Sequence, residues 1–221
     1  MKFHLMQTGV IGRRYELEAG MAGQRPELYQ RFLSEVRDYV RLADDLGYAA
    51  YCQPEHHLQI EGFEINNHPG MFSLYVGMHA KRMKAGIMGY TLPTHNPVRV
   101  AEEIATLDHM LQGRLQVGFT RGYHARWVDS MAARPGVSAT TPENAKARDE
   151  LDELNREVFE ESLQIIKKAW ASDVFSHKGK HWEFPPNGGS AGHPAYASMG
   201  KGMAEDGIVR KIGIAPKCYQ N

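Results

Sequence analysis

The sequence predicts an α/β fold, a parallel (β/α) sheet like that of a TIM barrel, incomplete and corresponding to the first half of the barrel. Short apolar runs alternate with segments whose apolar residues recur every three or four positions, as strands alternate with amphipathic helices. Short sequential connections favour right-handed βαβ units with helices outside a parallel sheet. Since a closed barrel takes about 250 residues, we expect residues 1–221 to form one domain, truncated on its C-terminal side.

Helix caps and breakers place the individual elements. Pro26 suits the first turn of a helix and Gly47 its end, and the same reasoning places a later helix between Pro97 and Gly113. In order, we predict a strand at 2–7, a helix at 25–47, a strand at 48–52, a helix at 70–82, a strand at 84–90, a helix at 97–113, a strand at 114–119, a helix at 143–170, a hairpin at 173–184 turning at Lys178-Gly179, a loop at 185–207 and a strand-like run at 208–221.

Two of these helices carry a clear apolar face. The helix at 25–47 is expected to pack through Leu28, Phe32, Val36, Tyr39, Ala43 and Leu46. The helix at 143–170 is expected to pack through Leu151, Leu154, Val158, Ile165 and Ala169. The many acidic and basic residues of this second helix are interpreted as a solvated face.

Composition and charge exclude several classes of protein. The 26 basic and 26 acidic side chains balance without a block of like charge, so we expect neither a nucleic-acid surface nor a membrane-binding patch. The two cysteines, Cys52 and Cys218, are far apart and form no disulfide or zinc framework, which favours the cytoplasm. No segment has the roughly 20 apolar residues of a membrane helix, and the N-terminus does not resemble a signal peptide.

Glu55, His56 and His57 follow shortly after the predicted strand at 48–52. Ligands gather at the carboxyl ends of parallel strands, so this position favours a functional role over simple helix or strand capping. An imidazole accepts and donates protons near neutrality, and a neighbouring carboxylate fixes its tautomer. We therefore predict that these three residues are catalytic.

Thr91, His95 and Asn96 follow the next predicted strand, just before the helix that begins at Pro97. A helix N-terminus has free N–H groups that suit an anion or a flat polar ring. An ordinary Asn N-cap followed by Pro explains the same residues. Both interpretations stay open.

Arg121 and Gly122 leave the strand at 114–119 together. A guanidinium can donate two parallel hydrogen bonds to a phosphate or carboxylate, and glycine permits close approach of the backbone to a ligand. Tyr123 and Trp127 suit either stacking on a ligand or packing against the long helix. The candidate cofactor-binding residues are therefore Thr91, His95, Arg121, Gly122 and Tyr123.

The eleven histidines raise the question of a metal site, but the usual ligand spacings do not occur. The sequence contains neither His-Glu-x-x-His nor His-x-His on a strand, so we expect no metal. A dinucleotide-binding glycine motif, a Walker motif and a nucleophile elbow are also absent from the sequence.

These features together resemble the N-terminal portion of the bacterial luciferase-like flavin-dependent monooxygenase family. The resemblance runs along the whole chain, in the segments MKFHL, EHH, NPVRVAEEIATLDHMLQGRLQVGFTRG, ESLQIIKKAW, GKHWEF and IAPKCYQN. It implies a luciferase-like TIM barrel in which reduced FMN reacts with O2 to give a flavin C4a-hydroperoxide. That species would oxidise a small apolar organic substrate.

The resemblance also implies roles for individual residues. His56 matches the imidazole near the flavin peroxide, as base or peroxide stabiliser, with Glu55 and His57 supporting it. Thr91 matches the wall of the isoalloxazine pocket, and Arg121 matches the basic residue that contacts the flavin phosphate.

The partners implied by the resemblance are a separate flavin reductase that supplies reduced FMN and a second copy of the chain in a homo-oligomer. Three alternatives remain. One is hydride transfer with deazaflavin F420, another is a non-catalytic flavin-binding or assembly fragment, and the third is a histidine-metal hydrolase. The missing half of the barrel favours the second alternative, and the sequence does not identify the organic substrate.

Overall fold

The computed structural model describes residues 1–147, 149–186, 189–190 and 194–220. The chain forms two compact units. The first unit comprises Met1–Thr91 and Leu107–Thr120 with Tyr219 and Gln220, and the second comprises Leu92–Thr106 and Arg121–Cys218. Within the described residues, none of the helices is long and apolar enough to span a membrane.

A four-stranded parallel sheet forms the centre of the first unit, as the sequence predicts. Its strands lie side by side in chain order: β1 (His4–Met6), β2 (Ala50–Gln53), β3 (Lys84–Thr91) and β4 (Leu115–Thr120). The register between β3 and β4 shifts between Met88 and Tyr90. Strand β3 can approach β4 here because residue 89 is glycine. A Cβ on Gly89 would lie 2.1 Å from the carbonyl oxygen of Gly118.

Helix α1 (Arg14–Glu18) precedes two longer helices of the first unit, α2 (Pro26–Asp45) and α3 (Pro69–His79), and α3 packs against both β3 and α2. As predicted, Pro26 occupies the first turn of α2 and Gly47, with φ +82°, follows its end.

The predicted buried face of α2 was wrong at two positions. Tyr39 and Leu46 are 48% and 68% exposed, and Val40 is fully buried in their place. The reason is geometric, since Val40 lies four residues after Val36 and continues the same stripe of the helix. The buried residues of α2 are Leu28, Phe32, Val36, Val40, Ala43 and Asp44.

Asp44 fixes the start of β3. Its carboxylate accepts the backbone N–H groups of Lys81, Arg82 and Met83 at 2.9, 3.0 and 2.6 Å. Burial alone would raise the pKa of Asp44, but these hydrogen bonds outweigh it and hold the pKa below its ordinary value. The connection into the third strand is therefore held by a charge-assisted network.

Helix α4 (Pro97–Met110) contributes residues to both units, and three further helices belong to the second. These are α5 (Ala125–Met131), α6 (Pro142–Ala147) and α7 (Glu150–Ala171). The prediction of one helix over 143–170 was wrong, because Asp149 starts a new helix. Its side chain accepts the N–H of Asp152 at 2.9 Å, which is N-cap geometry.

The interpretation of the charged face of α7 as solvated was wrong for Asp152 and Glu161, whereas other charged residues of the helix are exposed as predicted, namely Glu150, Glu153, Glu160, Lys167 and Lys168. Asp152 and Asn155 are fully buried and Glu161 is 9% exposed, whereas Leu151, predicted to pack, is 45% exposed. The buried stripe of α7 contains both apolar and polar side chains, because buried partners satisfy the polar ones.

A hairpin of β5 (His177–Lys178) and β6 (Glu183–Phe184) follows α7, as predicted. The predicted turn at Lys178-Gly179 was wrong by one position, since Lys178 pairs with Glu183 in the strands and residues 179–182 form the turn. Glu161 anchors the hairpin to α7, since its carboxylate contacts Nε2 of His177 at 2.9 Å. It also accepts the backbone N–H groups of His181 and Trp182 at 3.0 and 2.9 Å.

The predicted loop at 185–207 contains regular structure. It includes α8 (Pro194–Met199), and β7 (Ala204–Glu205) pairs with β8 (Ile208–Val209) in a short hairpin. Residues 187–188 and 191–193 of this predicted loop lie outside the described residues. In the described residues 208–220 of the predicted strand-like run, the strand structure consists of β8 and isolated bridges from Ile208 to Ser190 and from Ile212 to Phe175, and residue 221 lies outside the described residues.

Candidate functional site

Glu55 lies at the centre of a hydrogen-bonded group in the first unit. Its buried carboxylate contacts Nε2 of His57 through Oε1 at 3.0 Å and accepts the backbone N–H of Thr91 through Oε2 at 2.7 Å. The Thr91 hydroxyl lies 3.0 Å from the Thr120 hydroxyl. Since Thr91 and Thr120 end β3 and β4, side chains connect the carboxyl ends of neighbouring strands.

The parallel topology explains why these residues meet. Thr91 and Thr120 are paired across β3 and β4, so both hydroxyls reach the same edge of the sheet. Glu55 follows β2 by two residues and lies at that edge as well. The expected convergence of polar side chains therefore exists in the first unit for Glu55, His57 and Thr91.

His56 has different neighbours from His57. Its side chain is 7% exposed, its backbone N–H donates to the Asn66 carbonyl at 2.9 Å, and Nδ1 lies 3.7 Å from Oε2 of Glu64. The Glu55 carboxylate thus contacts the His57 imidazole directly, and the support of both residues for His56 that the resemblance implies stays a prediction. The two imidazoles experience different electrostatic surroundings.

A cavity of about 250 Å³ lies beside His56 in the first unit. It combines the His56 imidazole with a phenol and several aliphatic side chains, and burial raises the pKa of the Tyr29 phenol. The surroundings suit a small, largely apolar molecule with one polar group. The lining residues are Gly23, Tyr29, His56, Leu58, Gln59, Ile60, Ile65 and Asn67.

Arg121 is bound to α7 within the second unit. Its Nε donates to Oδ1 of Asn155 at 2.9 Å, and Nη2 donates to the carbonyl and Oδ1 of Asp152 at 2.8 and 2.5 Å. Asp152 also accepts a bond from Nη2 of Arg156 at 3.0 Å. Burial would raise the pKa of Asp152, but the bonds from Arg156 and Arg121 outweigh it and hold the pKa below its ordinary value.

The residues after Arg121 have different structural roles. Gly122 has φ +78°, which favours glycine, and its carbonyl accepts the N–H of Thr140 at 2.8 Å. Tyr123 is 57% exposed, whereas Trp127 is 1% exposed and packs with Val128 and Ala139. Packing therefore explains Trp127.

His95 and Asn96 lie at the start of α4, also in the second unit. The backbone N–H of His95 donates to the Leu92 carbonyl at 3.0 Å. The Asn96 side chain accepts the N–H groups of Val98 and Arg99 at 3.0 and 3.3 Å. The N-cap interpretation of this segment is thus confirmed, and Asn96 uses two of the N–H groups that were considered for a ligand.

Sequence reasoning missed three polar residues of these groups: Thr120, Asp152 and Asn155. Asp152 and Asn155 continue, at intervals of three, the spacing of Val158 and the later buried residues of α7, so periodicity contained a signal. Thr120 is the last residue of a strand whose neighbour ends in Thr91. In the described part of the chain, no group of three or more His, Cys, Asp or Glu side chains is arranged to hold a metal ion.

Comparison with known proteins identifies the family. Residues 17–205 match the family model described as luciferase-like monooxygenase. This chain belongs to the luciferase-like monooxygenase family. The proposed resemblance is therefore confirmed over most of the sequence.

Two curated relatives are more than twice as long as the part of them that this luciferase-like chain matches. It is 26% identical over 178 residues to 3,6-diketocamphane 1,6-monooxygenase of Pseudomonas putida, a match covering 80% of this chain and 44% of the relative. It is 26% identical over 156 residues to the oxygenase component of the flavin-dependent trigonelline monooxygenase of Acinetobacter baylyi, covering 71% and 38%. The luciferase-like chain thus spans less than half the length of these relatives.

A solved structure supports the fold of the luciferase-like chain. The oxygenating constituent of 3,6-diketocamphane monooxygenase from Pseudomonas putida, in complex with FMN, superposes with a TM-score of 0.60 at 21% identity. The match covers 83% of this chain and 43% of that one. Together with the open four-stranded sheet, this similarity confirms the predicted incomplete (β/α) barrel.

Proposed function

We propose that this chain carries out, or contributes to, a flavin-dependent monooxygenase reaction in which reduced FMN and O2 oxidise a small apolar organic substrate. The observation that carries the proposal is the Glu55 carboxylate, held between His57 and the backbone of Thr91 at the ends of β2 and β3. Membership of the luciferase-like family supports the reaction class. The cavity beside His56, with Leu58, Ile60 and Ile65 in its lining, supports a small apolar substrate.

The donor set of this chain fits a flavin. Hydroxyl groups of Thr91 and Thr120 and the backbone of this strand edge suit the polar rim of an isoalloxazine ring, and we assign Thr91 to that role. His95, Gly122 and Tyr123 are proposed as further cofactor contacts, and the Arg121 guanidinium suits the phosphate. Reduced flavin, when bound, supplies the electrons that activate molecular oxygen.

The side chains around Glu55 hold and move protons in this proposal. The Glu55 carboxylate accepts a hydrogen bond from Nε2 of His57. The proton of a neutral His57 therefore lies on Nε2. His56 is assigned as the general base or acid nearest the substrate, because it lines the cavity. Glu55 and His56 are both buried, which limits the access of water to these two side chains.

A separate flavin reductase is proposed to supply reduced FMN, and a homo-oligomer is proposed as the working form. The designation of one relative as an oxygenase component supports the reductase partner. A second candidate function is flavin binding or assembly without turnover.

An anaerobic titration of the 221-residue chain with reduced FMN, followed by tryptophan fluorescence, tests the proposal. We expect saturable binding, with F420 as the control ligand that separates flavin from deazaflavin use. Admission of O2 with a small cyclic ketone or terpene then tests turnover, and binding without product supports the non-catalytic candidate. His56→Ala is expected to bind FMN and lose oxygenation. Absence of FMN binding by folded protein contradicts the proposal.

A further inference from the structure

Arg121 uses only part of its hydrogen-bonding capacity within the second unit. A guanidinium has five N–H groups. The bonds to Asn155 and Asp152 involve Nε and Nη2, and the two N–H groups of Nη1 take no part in them. The Arg121 side chain is 22% exposed, whereas the Asp152 side chain is fully buried. Nε and Nη2 of the guanidinium are therefore held by buried groups, while the Arg121 side chain as a whole keeps 22% of its surface exposed.

Asn155 makes the attachment to Arg121 reciprocal. Its Oδ1 accepts from Nε of Arg121, and its Nδ2 donates to the Arg121 carbonyl at 3.0 Å and to the Ser138 carbonyl at 2.7 Å. Side chain and backbone of the same arginine are thus both bound by a fully buried amide. Such an arrangement restricts the rotamer of Arg121 as well as its position.

We infer that Asp152 and Asn155 are positioning residues that hold Arg121 so that its Nη1 N–H groups bind the phosphate monoester of the flavin. The inference rests on the proposed function and deepens it, because it assigns the positioning of the phosphate-binding arginine to two residues of α7. Preorganisation of this kind increases affinity because the ligand does not have to order the arginine.

The charges around Asp152 are compatible with an anionic ligand. Two guanidinium groups, Arg121 and Arg156, share the single carboxylate of Asp152. Glu153 lies 3.6 Å from Nε of Arg156, but its side chain is 55% exposed and water screens its charge. An arginine whose role was only to neutralise a buried carboxylate would duplicate Arg156, which already contacts Oδ2.

The test compares two ligands that differ only in the phosphate. Binding of FMN and riboflavin is measured by fluorescence for the wild-type chain, Asp152→Asn and the matched control Glu153→Gln, which alters an exposed carboxylate of the same helix turn. For Asp152→Asn we expect FMN affinity to fall by about ten- to a hundredfold, the range for a hydrogen bond to a charged group, with riboflavin affinity retained. The control variant is expected to bind both ligands like the wild type.

Each other outcome overturns a specific statement. An equal loss for both ligands, or no loss, would assign Asp152 a structural role alone. A wild-type chain that binds FMN and riboflavin equally would remove the phosphate role of Arg121 and leave flavin binding intact. A folded wild-type chain that binds neither ligand contradicts the proposed function itself. If Asp152→Asn does not fold, the same comparison is made with Asn155→Ala, which removes one hydrogen bond to the guanidinium. A loss of FMN affinity with riboflavin affinity retained then supports the positioning role, and an equal loss for both ligands contradicts it.

Discussion

Glu55 of the first unit and Asp152 of the second are both buried carboxylates, but their partners differ in kind. Asp152 is bound by two guanidinium groups, which stay charged at every pH at which proteins fold. Glu55 is bound by the His57 imidazole and by the backbone N–H of Thr91. Asp152 is therefore an anchor held by two charged groups, whereas Glu55 is held by an imidazole, the side-chain type used most often for proton transfer, and by a neutral amide.

The largest expected effect comes from Asp152→Asn, which keeps the shape of the side chain and removes its charge. We expect the free energy of unfolding to fall by about 3 kcal/mol, the lower end for a broken buried ion pair, because both arginines are partly exposed. Urea denaturation measures this loss. Glu153→Gln is the control, and an equal effect of both substitutions would contradict the role of Asp152 as an anchor.

The pH dependence of the unfolding free energy tests the anchoring role of Asp152 further. The pKa of Asp152 is lowered from its ordinary value of 3.8, so its stabilisation is complete above that pH and is lost as pH falls through the lower, folded-state pKa. The difference in unfolding free energy between the wild type and Asp152→Asn should therefore be constant from neutrality to about pH 5. Urea titrations at several pH values should show it shrinking only below pH 4. A difference that disappears already near neutrality would show that another group is responsible.

Glu55→Gln is expected to cost less than Asp152→Asn. The amide oxygen can still accept the N–H of Thr91, and the amide nitrogen can donate to the other tautomer of His57. We therefore expect a loss of about 1.5 kcal/mol in unfolding free energy. Glu55→Ala, which leaves both partners unmatched, is the comparison variant and should cost more. The contrast between the two carboxylates breaks down if Glu55→Gln is as damaging as Asp152→Asn.

The smallest effect is expected for Thr120→Val. This nearly isosteric change removes the hydroxyl contact with Thr91 and leaves the pairing of β3 and β4 intact. A loss of about 0.5 kcal/mol in unfolding free energy is expected for one partly exposed hydrogen bond. Thr120→Ser keeps the hydroxyl and should be close to the wild type in the same denaturation experiment.

Local signals explain why much of the fold was predictable from the sequence. Pro26, Gly47 and Asn96 act within a few residues of their own positions, so their effects on helix ends can be read directly. The sheet followed from alternation of strands and helices, and its parallel topology brought Glu55 and Thr91 together.

The remaining parts of the site depended on residues distant in the sequence. Arg121 and Asp152 are separated by 31 positions, and the burial of Asp152 becomes favourable only once Arg121 and Arg156 are bound to it. A charged helix such as α7 looks solvated until those partners are known. The pairing of Glu55 with His57 also depends on side-chain geometry that the motif does not contain.

The carboxylate of Glu161 has a consequence for local opening of the second unit. It joins α7 to the hairpin through His177 and the amides of His181 and Trp182. The amide hydrogens of His181 and Trp182 can exchange with solvent only when their hydrogen bonds to the Glu161 carboxylate break. The turn therefore belongs to the same cooperative unfolding unit as the helix, and its amides should exchange on the timescale at which α7 itself opens.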